Sequence, residues 1–95
     1  VYVVCDGHGP LGHIASFRVV QSVPMLVLKW LTMVSATEPP ENAVAHAIRK
    51  ASEDLYSFGQ QYGLDFSESG TACSVALRLD DRIFVGWVGD CRAIV

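Results

Sequence analysis

Asp6 and His8 stand one residue apart in "VVCDGHGPLGH", residues 3–13, with Gly7 between them and Gly9, Pro10 and Gly12 following. A carboxylate binds hard cations, and an imidazole moves protons near neutral pH. Here the pair closes an apolar, β-branched run, "VYVVC". A carboxylate at the end of such a strand is expected to be desolvated unless something pairs with it, and no Arg or Lys is local. A divalent cation would serve, and oxygen ligands favour Mg2+ or Mn2+ over zinc. Gly7 has no side chain, so a cation or its water can approach the Gly7 carbonyl closely. His8 would then project at the rim as a proton donor. The plainer alternative is that Asp6 and His8 only cap and hydrogen-bond a turn.

Asp90, in "VGDCR", is a second candidate, because it too follows an apolar run and sits beside a glycine. An ordinary hairpin turn explains it equally well. His8 and His13 are five apart with a turn between them, so they do not make a helical zinc pair. The small residues of "SESGTACS", 67–74, contain hydroxyls but no base at a recognisable spacing. They read as residues that let elements pack closely.

These residues need elements to hold them. The spacing predicts a strand over 1–5, a tight turn through Gly7, Gly9, Pro10 and Gly12, and a helix from about His13 with Ile14, Phe17 and Val20 on one stripe. Pro24 lacks the N–H that would bond back to Val20, so it is expected to kink or end that helix. A second helical piece should then run over 25–32. "SATEPPEN" reads as a linker, with Pro39 and Pro40 suited to the first turn of a helix. From Glu41, Val44, Ile48, Ala51, Leu55 and Phe58 repeat as one apolar face, ended by Gly59 or Gly63. Strands follow over 72–79 and 83–88, turning at Asp80-Asp81. Gly89-Asp90 makes another turn, and "RAIV" starts a third strand of an antiparallel meander. The fold class is α+β.

Composition narrows the rest. The chain has 95 residues, 51% hydrophobic and 18% charged, with a net charge of −3. That is globular rather than disordered. With no Lys/Arg cluster, nucleic acid is not expected as a partner. An acidic chain that handles phosphate needs help from cations. Cys5, Cys73 and Cys91 are odd in number and form no Cys-x-x-Cys, so they read as buried free thiols in a reducing compartment, cytoplasmic or nuclear. Residues 19–34 are apolar but short, and Gln21, Pro24 and Lys29 interrupt them; they read as a buried helix, with no membrane span expected. Both ends fall within strand-like runs, so residues 1–95 read as a piece of a larger domain.

Taken together, "VYVVCDGHGPLGH" resembles the Asp-Gly-His-Gly segment of the metal-dependent protein phosphatases of type 2C. "SGTACSVALRLDDRIFVGWVGDCRAIV" resembles that family's Ser-Gly-Thr strand and its Val-Gly-Asp-Ser-Arg-Ala turn. Order, spacing and helical spacer also match, over essentially the whole chain. The resemblance implies part of a four-layer α-β-β-α sandwich, antiparallel sheets flanked by helices, and a catalytic domain continuing beyond both ends of residues 1–95. It implies a binuclear Mg2+ or Mn2+ centre, with a third, weaker ion. Asp6 matches the bridging carboxylate, Gly7 the carbonyl ligand, His8 the general acid, and Asp90 the carboxylate linked to the third ion. The implied activity is hydrolysis of phosphoserine and phosphothreonine in phosphoproteins by a monomeric domain. A pseudophosphatase, the same fold used for binding or regulation, is the alternative. Pro10, Ala72 and Cys91 depart from the pattern without removing a ligand. The resemblance places the phosphate-binding arginine and an acidic shell residue before Val1, and the remaining aspartates after Val95. The 95 residues alone are therefore expected to be inactive.

Overall fold

The computed structural model describes residues 1–33 and 38–91. The order is β1 (Tyr2–His8), α1 (Gly12–Met33), α2 (Glu41–Tyr62), β2 (Gly70–Leu79) and β3 (Arg82–Val88). The strands form one antiparallel sheet in the order β1-β2-β3, and both helices pack on the same face of it. The expected α+β architecture is present as two layers, consistent with part of a sandwich. The expected strand at "RAIV" lies outside the described residues, as do residues 34–37 between the helices.

Alternation sorts the sheet into two faces. Val3 and Cys5 of β1, Cys73, Val75 and Leu77 of β2, and Phe84 of β3 turn toward the helices. Val19, Val23 and Val27 of α1, with Ala43, Val44, Ala47 and Ala51 of α2, complete the core. Val23, Val27 and Val75 are fully buried. The small side chains let helices and sheet approach closely, at the cost of a modest buried volume per residue. The other sheet face is open: Tyr2, Val4, Ile83 and Trp87 are exposed.

Two expectations for α1 are corrected. Pro24 neither ends nor divides it: one helix runs from Gly12 to Met33 with Pro24 inside. A proline there forgoes the bond to Val20 and costs about 3 kcal/mol in a free helix. Here Val19, Val23 and Val27, on the buried stripe on both sides of it, supply packing that outweighs the loss. The buried stripe is also not the expected one. Ala15, Val19, Val23 and Val27 face the core, whereas Phe17 is exposed. An alanine near the start of the helix lets it sit closer to the sheet than a phenylalanine would.

In α2 the predicted face holds, with Val44 and Ala51 buried and Ile48 and Leu55 packed beside them. Pro40 precedes the first turn, with the Asn42 and Ala43 N–H groups donating to Pro39 and Pro40 carbonyls. Gly63, left-handed at φ 67°, ends the helix, and its N–H donates to the Gly59 carbonyl. After it, the Ser67 backbone N–H donates to Asp65 Oδ1 at 2.9 Å and holds that carboxyl below its ordinary range. Across the helix pair, Arg18 meets Asp54 through Nε–Oδ2 at 2.9 Å and Nη2–Oδ1 at 3.1 Å, and its guanidinium lies 4.1 Å from the Phe58 ring centre.

Two tests follow from this packing. A methyl added at Gly86 would lie 2.5 Å from Val44 Cγ1. Gly86→Ala should cost about 1–3 kcal/mol. Urea unfolding of the double variant with Val44→Ala should give a loss smaller than the sum of the two single losses. Asp54→Ala should cost no more than about 1 kcal/mol, because the pair is more than one-third exposed and screened; this loss should shrink in high salt.

Candidate functional site

Strand β1 continues through the motif. Pairing with β2 runs from Tyr2↔Ala76 to Asp6↔Ala72, Gly7↔Thr71 and His8↔Gly70. This corrects the expected strand end at Cys5 and the assignment of Gly7 to a turn. The reason is that β2 itself begins two residues early, at Gly70, and provides partners for the extra residues. The turn is confined to Gly9, Pro10 and Leu11, between β1 and α1.

Within β1, Asp6 and His8 project to the open face and Gly7 to the helix face. Asp6 is exposed, so the expected desolvation is not found in this chain. Its open-face neighbour across the strands is Ala72, a small residue that leaves the carboxylate uncovered. The His8 ring reaches across to β2: a methyl at Gly70 would meet Nε2 at 3.1 Å and Cε1 at 3.2 Å. Gly70 thus leaves a seat for the imidazole.

Gly7 is required for a reason that the sequence does not disclose. A side chain there would collide with the Gly12 backbone carbonyl, because the start of α1 is pressed against the strand. Gly9 makes the reversal with φ 82°, and a side chain there would strike the Glu68 carbonyl. Ser69 Oγ accepts from the Leu11 N–H at 2.9 Å, tying the turn to the entrance of β2. The Gly12 N–H donates to the Gly9 carbonyl at 3.1 Å, and the first α1 turn closes on Leu11. Ser69 and Gly70 therefore position the motif. Their sequence signal was the small-residue run, which pointed to close packing but not to what was packed.

Asp90 joins the same end of the sheet. Val88 pairs with Cys73, and a methyl at Gly89 would lie 3.0 Å from Ala72 Cβ. Ala72 is also the partner of Asp6, so Asp6, Ala72 and Gly89 form one row across the three strands. At about 4.8 Å per strand, Asp6 and Gly89 are roughly 10 Å apart. Gly89 has φ 91°, turning the chain at Asp90.

The donor chemistry, a solvent-facing carboxylate with a glycine carbonyl beside it and a second carboxylate across the sheet, suits hard cations. It is a partial set: no group of three or more His, Cys, Asp or Glu converges among the described residues. Mg2+ takes six oxygens, so these residues alone do not make a cage.

The inner side of β1 and β2 carries Cys5 and Cys73, and Cys91 follows β3. All three are free; Cys73 is buried, while Cys5 and Cys91 are only half-buried, less than expected. Burial pushes the Cys73 thiol up to about 12, with the facing Cys5 thiol adding to it. Burial also raises Cys5. Elsewhere, a cavity of about 370 Å3 is lined by Leu26, Lys29, Trp30, Met33, His46 and Lys50. Trp30 is 18 residues along α1 from Gly12, roughly 27 Å, so this cavity is separate from the Asp6 end. α1 is also long and apolar enough to cross a membrane by length and composition alone; here one stripe, Ala15, Val19, Val23 and Val27, packs on the sheet, while Phe17, Met25, Leu28 and Met33 are exposed, so the expected buried helix is buried on that stripe only.

Comparison with known proteins gives a consistent likeness. The chain is 32% identical over 95 residues to "Probable protein phosphatase 2C 64" of Oryza sativa subsp. japonica, covering 97% of this chain and 22% of that protein. It is 34% identical over 103 residues to "Probable protein phosphatase 2C 34" of Arabidopsis thaliana, covering 97% and 28%. It is 35% identical over 92 residues to "Probable protein phosphatase 2C 35" of Arabidopsis thaliana, covering 97% and 24%. No family model matches the chain. No solved structure matches it either. The chain spans about a quarter of the length of the curated relatives it matches. Near-complete alignment to three such proteins, with the motifs in order on an α+β frame, makes this chain a segment of the protein phosphatase 2C family.

Proposed function

We propose that the chain is part of the catalytic domain of a Mg2+- or Mn2+-dependent protein serine/threonine phosphatase. The observation that carries this reading is the register: Asp6, Gly7 and His8 lie at one end of the sheet, with only β2 between them and Gly89-Asp90, in a chain similar throughout to phosphatase 2C proteins. In this reading Asp6 and the Gly7 carbonyl are cation ligands, and Asp90 serves a weaker third position. Residues beyond this segment complete the ligand set. Bound divalent cations would supply a hydroxide at neutral pH and offset phosphate charge.

The chain's own contribution is placement. The Gly7–Gly12 contact and the Ser69 bond hold Asp6 and His8 facing outward on a paired strand rather than on a loose loop. A serine or threonine alkoxide is a poor leaving group. A proton delivered to its oxygen by the His8 imidazole should be worth about 10²–10⁴ in rate. The three free thiols support a reducing compartment.

Three outcomes are expected. The 95-residue chain alone should turn over no phosphopeptide, because its donor set is incomplete. In the full-length protein, Asp6→Ala should abolish Mn2+-dependent turnover and weaken Mn2+ binding by calorimetry. His8→Ala should leave Mn2+ binding nearly unchanged and lower the rate by about 10²–10⁴ on phosphoserine peptides, with a smaller loss on aryl phosphates. Equal losses on both substrates would assign His8 to holding the site instead. A full-length protein that binds Mn2+ poorly and hydrolyses neither substrate would favour the regulatory pseudophosphatase.

A further inference from the structure

Cys5 and Cys73 are directly opposed across the β1–β2 pair. Both lie on the helix-facing side of the sheet, and both are free. Directly opposed residues of antiparallel strands have Cα atoms about 4.5–5.5 Å apart. Disulfides occupy about 4.4–6.8 Å, so the backbone already holds these two within bonding range. Cys73 is 2% exposed and Cys5 half-buried. A cavity of about 270 Å3 between helices and sheet has Cys73 in its wall, with Val19, Val23, Thr71 and Val88. It leaves free volume beside the Cys73 thiol, which can turn toward Cys5 without displacing the core. Neither thiol has a part in the proposed phosphatase chemistry.

We propose that Cys5 and Cys73 are a redox modification site, closing a reversible cross-strand disulfide when peroxide is present. Cys5, the more exposed, reacts first. Its sulfur attacks one peroxide oxygen, the O–O bond breaks, and the products are a sulfenic acid and water. The Cys73 sulfur then attacks the Cys5 sulfur, the S–OH bond breaks, and the departing hydroxide takes the Cys73 proton to leave as a second water. Two thiols lose two electrons and two protons, and hydrogen peroxide becomes two waters. A dithiol reductant reverses the change by exchange. Cys91 is the competing partner. It sits three residues beyond Val88, which pairs with Cys73, and its thiol points to the Val88 carbonyl at 3.4 Å. It is not in register with either strand partner, so the pair across β1 and β2 is favoured.

The test does not depend on the phosphatase reading. Full-length protein is treated with hydrogen peroxide, its remaining thiols are alkylated, and it is digested and mapped by mass spectrometry without reductant. The expected product joins the Cys5 peptide to the Cys73 peptide and disappears with dithiothreitol. It should persist in Cys91→Ser and be absent from Cys5→Ser. A Cys5 peptide carrying only sulfinic or sulfonic acid, a link to Cys91 instead, or thiols left unmodified in the folded protein would each overturn the proposal.

Discussion

The contact of Gly7 with Gly12 is the constraint on which the rest depends. Backbone lies on backbone there, with no side chain between. This closeness lets β1 pass into α1 through only Gly9, Pro10 and Leu11, and still send the helix back over the sheet. Because strand residues alternate, pressing Gly7 against the helix puts Asp6 and His8 on the opposite side. The glycine between the two polar residues is therefore the reason that both face outward together. A larger residue would lift α1 and pull Ala15, Val19 and Val23 out of their seats.

The sheet consequently has two unlike faces. One is sealed by small aliphatic residues and carries the Cys5 and Cys73 thiols. The other carries Asp6 and His8 at one end, with exposed Tyr2, Val4, Ile83 and Trp87 along the rest. Apolar side chains in that number on a sheet face are expected to find cover. A second sheet laid across them is consistent with the sandwich, and would leave the polar end at the margin of the contact, where a cleft can form.

Much of this was legible in the sequence, because period and turn chemistry are local. Alternation in "ACSVALRL" fixed which face of β2 is buried, Asp80-Asp81 marked the hairpin, and the α2 stripe from Val44 to Leu55 gave its orientation. What failed was set by distant partners. Pro24 reads as a break until the buried valines around it are counted. Phe17 reads as core until the sheet is seen to demand Ala15. Likewise, the extension of β1 to His8 depends on Gly70, and the need for Gly7 depends on Gly12. In the site, the identity of the candidate residues was readable from spacing. Their row through Ala72, and the support from Ser69, were not, because register is a pairing property.

The Ser69–Leu11 hydrogen bond joins residues 58 apart in the chain. Its two ends are separated by both helices, whose own bonds are local and close early. The loop that must be closed before the turn is tied is therefore long, and its entropic cost has to be met by β1–β2 zippering. Helix formation before strand capture is the folding order that this connectivity favours. The Asp-Gly-His end of β1, with the turn after it, is then expected among the last parts to gain its shape. It is also the first to lose it when the strand pair opens, so integrity of the motif reports on the long-range topology of the whole chain.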